Sequence, residues 1–119
     1  MGLDVEFYVR GADMPVHHLR NHWEFLEIFF SQNPEPAYEG HDDFLVDADV
    51  LYGVAAGLAR QMIAAGLSRS DVPDDVPEDF RDRRPEIDHA HCLPVYMRIL
   101  EDLFVAEAEH GPLICAWSA

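Results

Sequence analysis

Two pairs of histidines in this sequence have spacings that could hold a metal ion. His18 and His22 are four residues apart, so in a helix their imidazoles would share one face, as in sites where a helix supplies two ligands to zinc. His89 and His91 would project from the same side of an extended segment. The four histidines, with the segment at residues 88–92, therefore define a hypothetical zinc site, structural or catalytic. The glutamate of an HExxH motif is missing between the first two histidines.

A second pattern is the acidic, proline-rich loop at residues 68–92. Pro73 and Pro77 favour an extended backbone in its most acidic half. Duplex DNA carries one charge about every 3.4 Å along each strand, and carboxylates on a loop or a helix can approximate this spacing. The sequence of this loop therefore predicts an acidic surface that binds in the phosphate-binding groove of a partner protein. The residues expected to contact this partner are Asp71, Asp74, Asp75, Glu78, Asp79, Phe80 and Asp82, extended by Glu101 and Asp102 on the last helix.

Other interpretations of the same loop remain open. A run of charges is also typical of an ordinary solvated loop. Phe80 is compatible with two roles, since an aromatic residue among charges can anchor a partner or pack on the core and hold the loop down. Arg81, Arg83 and Arg84 could fold back onto nearby acids as surface ion pairs, each contributing about 0 to 1 kcal/mol. We predict no functional chemistry for residues 83–87.

The charge balance narrows the class of partner. The formal net charge is −15, from 23 acidic and 8 basic residues, and all the basic residues are arginine. Such a surface would repel the phosphates of nucleic acids and anionic lipids. It would attract a basic protein and steer it into contact. The expected partner is therefore a basic protein with a nucleic-acid-binding surface, and not nucleic acid itself or a membrane.

No pattern in the sequence indicates an enzyme. The serines lie outside any nucleophile-elbow motif, and no glycine-rich loop could cradle a phosphate. Cys92 has histidines nearby in sequence, but this does not ensure the geometry of a catalytic pair. We expect a non-enzymatic protein without a cofactor, with zinc as the alternative if the histidines meet in space.

The two ends of the chain predict the strands of a small sheet. Residues 3–10 alternate apolar and polar side chains, as in a strand with one buried face. A short strand is expected at residues 44–46. Residues 112–119 place Leu113, Cys115 and Trp117 on one face of a terminal strand that could pair with the first.

Three helices are expected between these strands. Apolar residues at three-four spacing predict a first helix near residues 14–31. Asp47 or Asp49 could cap a second helix that ends at Gly66, and Pro94 suits the start of a third that ends at Gly111. The predicted fold is a single α+β domain at residues 1–119, with three helices packed on a small antiparallel sheet formed by the N- and C-terminal strands.

The opening MGLDVEFYV and the following HLRNHWEFLEIF resemble small phage and prophage proteins that begin MGLD and carry a first helix rich in tryptophan and histidine. Small, strongly acidic phage proteins include anti-CRISPR proteins and other inhibitors of nucleic-acid enzymes, some of which imitate DNA. This chain is similar to such inhibitors in size and charge, and this likeness implies an anti-CRISPR-like inhibitor that acts in the cytoplasm of the host cell. A cytoplasmic location also fits the absence of a signal-peptide pattern and the two cysteines without motif spacing.

Overall fold

The terminal strands form the centre of a four-stranded antiparallel sheet. The computed structural model describes residues 2–119, and the sheet order in this part of the chain is β2-β1-β4-β3. Three helices pack on one face of the sheet, which confirms the predicted α+β fold and the pairing of both chain ends. The elements are β1 (Asp4–Tyr8), β2 (His17–Arg20), α1 (Trp23–Phe30), β3 (Phe44–Val46), α2 (Ala48–Ala64), α3 (His89–His110) and β4 (Leu113–Ser118).

The core lies between the sheet and the helices. Val5 and Phe7 on β1 are buried, whereas the alternate side chains of this strand are partly exposed on the opposite face. The ring of Phe7 contacts Phe29 of α1, with centroids 5.2 Å apart. Phe25 of α1 stacks on Tyr96 of α3 with centroids 4.5 Å apart. Because Tyr96 is fully buried, its hydroxyl group needs a polar partner inside the protein.

The predicted first helix is wrong in its first half. Residues 17–20 form the edge strand β2, which pairs with β1 from Asp4↔Arg20 to Phe7↔His17. Asn21 follows with a φ of 63° and ends the strand, and its side-chain oxygen accepts a hydrogen bond from the backbone N–H of Leu3 at 3.0 Å. Pairing with β1 therefore overrides the helical spacing, and α1 begins only at Trp23. As a result, His18 and His22 do not share a helical face.

The two long helices differ in how well their starts were predicted. The carboxylate of Asp47 caps α2 and accepts a hydrogen bond from the backbone N–H of Val50 at 2.9 Å. In contrast, α3 starts at His89, five residues before Pro94, so that the proline lies inside the helix. His89 and His91 are thus in its first turn and do not lie in an extended segment. Gly111, with a φ of 81°, ends α3 as predicted.

Candidate acidic interface

The acidic segment at residues 71–82 is fixed to the body of the protein by apolar side chains four residues apart. Val72, Val76 and Phe80 are partly buried and pack against the core. Of two short 3-10 turns, Arg69–Asp71 directly precedes the first anchor and Glu78–Phe80 contains the last one. The anchors face inward, and the carboxylates between and beside them are exposed. We call these six residues the acidic ridge: Asp71, Asp74, Asp75, Glu78, Asp79 and Asp82.

The C-terminal end of the ridge is joined to the edge of the sheet. The backbone N–H of Arg20 donates to the carbonyl of Arg81 at 2.7 Å, and the N–H of Arg83 donates to the carbonyl of Arg20 at 2.8 Å. The side-chain amide of Asn21 donates to the carboxylate of Asp82 at 3.0 Å. The segment thus covers part of the free edge of β2 and is held in register with it.

A buried polar cluster lies beneath the ridge. His22 is only 1% exposed, and its ring lies 4.7 Å from the ring of Phe80. Its Nε2 donates to the backbone carbonyl of Phe80 at 2.8 Å, since the carbonyl can only accept. Its Nδ1 lies 2.6 Å from the hydroxyl of Tyr96. The sequence left the position of Phe80 open, and the structure places it over this histidine, on the inner side of the ridge.

The hydroxyl of Tyr96 connects His22 to a carboxylate. It lies 2.8 Å from Oε1 of Glu24 and 2.6 Å from Nδ1 of His22. Burial lowers the pKa of His22, so the neutral imidazole has an acceptor at Nδ1. Burial opposes ionisation of Glu24, but the hydrogen bonds from Arg83, from the backbone and from Tyr96, with the charge of Arg83, together outweigh it and lower the pKa of this carboxyl. The single hydroxyl proton of Tyr96 is therefore shared between two acceptors. Burial is the main cause that raises the pKa of the phenol, and the contact with Glu24 is the second.

Arg83 completes the cluster through an ion pair with an acid, which is more buried than the surface ion pairs expected for the arginines. Its Nε donates to Oε1 of Glu24 at 2.7 Å, and its side chain is 15% exposed. This pair holds the chain after the ridge against α1. The two residues are 59 positions apart, so no local signal in the sequence could have indicated the contact. Arg84 follows the prediction, since it forms a surface ion pair with Asp79 at 2.9 Å.

The carboxylates in the middle of the ridge are the most available ones. Within residues 2–119, Asp74, Asp75 and Glu78 form no side-chain hydrogen bond or ion pair. The other three have partners, namely Asp71 with the backbone N–H of Ser68, Asp79 with Arg84, and Asp82 with Asn21. The free negative charge is thus concentrated between the anchors Val72 and Phe80.

Glu101 and Asp102 occupy a different environment from the ridge. Arg98 pairs with Glu101 at 3.0 Å and with Asp102 at 2.9 Å. Asp102 also lies 2.8 Å from Nε2 of His17, and Arg69 pairs with Glu101. Both carboxylates were expected to extend the partner-binding patch. The structure places them in intramolecular ion pairs, where arginines compensate part of their charge.

The four histidines of the hypothetical zinc site do not come together. Nε2 of His18 contacts Asp4 at 2.9 Å, while His22 is buried below Phe80. Nε2 of His89 contacts the side-chain oxygen of Gln61 at 2.9 Å, and His91 is exposed. In the part of the chain that the structure describes, no group of three or more His, Cys, Asp or Glu side chains could hold a metal ion. The predicted arrangement of zinc ligands is therefore wrong.

The cysteines are not placed as nucleophiles. Cys92 and Cys115 are both free and buried. Burial raises the pKa of the Cys92 thiol, and it raises that of Cys115 well above its ordinary value. Because the thiolate is the reactive form, both positions disfavour nucleophilic chemistry.

Comparison of the chain with protein-family models, with curated proteins and with solved structures finds no match. Across residues 2–119, none of the helices combines the length and the apolar character needed to cross a bilayer. The features of the molecule that bear on its function are therefore the geometry of the ridge and its charge.

Proposed function

We propose that this protein is a non-enzymatic inhibitor whose acidic ridge occupies a basic, nucleic-acid-binding surface on another protein. The observation that carries the proposal is the exposure of Asp74, Asp75 and Glu78, whose carboxylates have no hydrogen-bond or ion-pair partner among residues 2–119, on a segment anchored by Val72 and Phe80. A phage-encoded inhibitor of the anti-CRISPR type, acting in the host cytoplasm, is the kind of protein that fits this description.

Anchoring of the ridge favours binding for an entropic reason. A flexible acidic loop would lose conformational freedom when it meets a partner, and this loss weakens the complex. Here the apolar anchors and the backbone pairing between Arg20 and residues 81–83 have already restricted the segment. The ridge can therefore present its charges with little further ordering. This arrangement supports a dedicated contact surface over an ordinary solvated loop.

The charge of the whole molecule supports the same partner class. A net charge of −15 creates a long-range field that draws basic surfaces in and raises the association rate, with an effect that weakens as salt increases. The same field would repel nucleic acids, because their phosphates are also negatively charged. The partner is thus a protein that normally binds phosphates and that exchanges them for carboxylates.

Affinity capture with a nucleic-acid competitor tests the proposed function. The tagged protein is immobilised, exposed to a bacterial lysate at low and at high salt, and the retained proteins are identified. We expect retention of a basic nucleic-acid-binding protein at low salt, loss at high salt, and release by added duplex DNA or structured RNA. Retention that neither salt nor nucleic acid reverses would contradict the proposal.

A further inference from the structure

An apolar groove lies at the base of the acidic ridge, between the second half of α2, residues 67–72 and α3. Its volume is about 210 Å³, and its apolar lining consists of Ala59, Met62, Ile63, Leu67, Val72 and Met97. Ile63 stands at the rim and is 76% exposed. Pockets for small molecules usually measure about 300 to 1,000 Å³, so this groove is better matched to one large side chain than to a metabolite.

The groove is continuous with the ridge. Val72 belongs to both, since it lines the groove and is the first of the three ridge anchors. Asp71 directly precedes it and Asp74 follows two residues later, both exposed. Among the described residues that line the groove, Arg69 is the one cation, and it is already paired with Glu101. A side chain that enters the groove would therefore have the exposed carboxylates of Asp71 and Asp74 beside it, on the side of the ridge.

We propose that the groove receives a large aliphatic side chain of the same basic partner, from a segment in which Lys or Arg residues flank that side chain. The inference rests on the proposed function, because the charge of the ridge selects the flanking cations. Charge complementarity mainly sets association rate and specificity, whereas a buried apolar anchor supplies much of the affinity at protein interfaces. Met62 and Met97 suit this role, since their flexible thioether side chains adapt to the shape of an incoming group.

Two synthetic peptides test the inference. Both alternate Lys and Arg around one central residue, which is Leu in the first peptide and Ala in the second. We expect the Leu peptide to bind about tenfold more tightly in fluorescence anisotropy, because burial of the larger side chain adds apolar contact. The methyl resonances of Met62 and Met97 should shift in NMR spectra with the Leu peptide and stay nearly unchanged with the Ala peptide.

A matched pair of variants locates the effect. Ala59→Phe fills the groove, whereas Ala56→Phe adds the same side chain at an exposed position of α2 outside the groove. The first should reduce binding of the Leu peptide to the level of the Ala peptide, and the second should leave it unchanged. Circular dichroism confirms the fold of each variant. The methyl shifts of the unaltered protein keep the test valid if Ala59→Phe does not fold.

The outcomes separate the groove from the function on which it rests. Equal, salt-sensitive binding of both peptides without methyl shifts would overturn the groove and leave the attraction to the ridge intact. Binding of the Leu peptide that persists in Ala59→Phe would also overturn it, as would failure of both peptides to bind. The proposed function itself is tested separately, by the lysate capture. Reversal of Asp74, Asp75 and Glu78 to Arg should weaken the binding of both peptides and preserve the ratio of their affinities.

Discussion

The acidic ridge and a second set of carboxylates, the internal acids Glu24, Glu101 and Asp102, differ in their access to cations. Each internal acid contacts an arginine, either Arg83 or Arg98, at 2.7 to 3.0 Å. In the ridge, only Asp79 has such a partner among the described residues. The net charge of the chain therefore does not show which acids are available. Whether a carboxylate is available to a partner depends on which carboxylates the few arginines already pair with.

The internal acids and the ridge acids also have different roles in the protein. The internal acids hold elements together, as Glu24 does when it joins α1 to the segment after the ridge through Arg83. The ridge acids Asp74, Asp75 and Glu78 instead face the solvent, on a segment that apolar anchors attach to the core. Substitution of an internal residue should therefore change stability, and substitution of these three ridge residues should change binding.

The largest effect on stability is expected for His22→Ala. This change removes the hydrogen bonds to Phe80 and Tyr96 and leaves a cavity between them, so we expect a loss of about 2 to 4 kcal/mol in the free energy of unfolding. Urea denaturation measures it. His91→Ala is the control, since this side chain is exposed, and it should stay within about 0.5 kcal/mol of the unaltered protein. Equal losses in both variants would show that the cluster does not hold the ridge.

A smaller loss is expected for Arg83→Ala. The substitution leaves the half-buried carboxylate of Glu24 without its charged donor, which should cost about 1 to 3 kcal/mol. Arg81→Ala removes the same charge from an exposed side chain that forms no ion pair in residues 2–119, and it should change stability by less than about 0.5 kcal/mol. The same denaturation experiment compares the two. A cost for Arg81→Ala as large as that for Arg83→Ala would remove the distinction between internal and exposed charges.

Acid should destabilise the protein through the buried cluster. The folded pKa of His22 lies below its ordinary value of 6.5, so the unfolded chain takes up a proton first and stability is lost as pH falls from 6.5 through the folded value. The pKa of Glu24 is also lowered from 4.5, so its contribution is present above 4.5 and is lost as pH falls further. Urea denaturation across this range measures both losses. In His22→Asn the first of them should disappear, and its persistence would assign the titration to another group.

The smallest effect on stability is expected in the ridge. Neutralisation by Asp74→Asn, Asp75→Asn and Glu78→Gln removes no intramolecular contact that the described residues show, so the free energy of unfolding should change by about 0.5 kcal/mol or less. Relief of repulsion among like charges would make this change favourable. A clear loss of stability would mean that these carboxylates support the fold, which would weaken their assignment to an interface.

Local patterns in the sequence were sufficient for much of the fold. The alternation in β1, the Asp47 cap and the glycines at positions 66 and 111 each act within a few residues, and the structure agrees with all of them. The strand β2 could not be predicted in this way, because residues 16–30 also fit a helix. Formation of this strand depends on pairing with β1 and on backbone hydrogen bonds to residues 81–83, which are distant in sequence.

The site was predictable only in part. The acidic run was visible in the sequence, and Val72, Val76 and Phe80 show a four-residue spacing that the intervening prolines obscured. In contrast, the cluster of His22, Glu24, Arg83 and Tyr96 joins residues 59 to 74 positions apart. Such contacts arise from tertiary packing and leave no local pattern. The same limitation explains why paired histidines suggested a metal site that the fold does not build.

Binding of the partner should depend on the position of the ridge charges and not on the total charge of the protein. Reversal of Asp74, Asp75 and Glu78 to Arg can be compared with reversal of Glu35, Glu39 and Asp42, three exposed residues in the loop before β3, at the opposite edge of the sheet. Both variants change the net charge equally. In capture at low salt, the ridge variant should lose the partner and the loop variant should retain most of it. Equal retention or equal loss in the two variants would show that the position of the ridge charges does not determine binding.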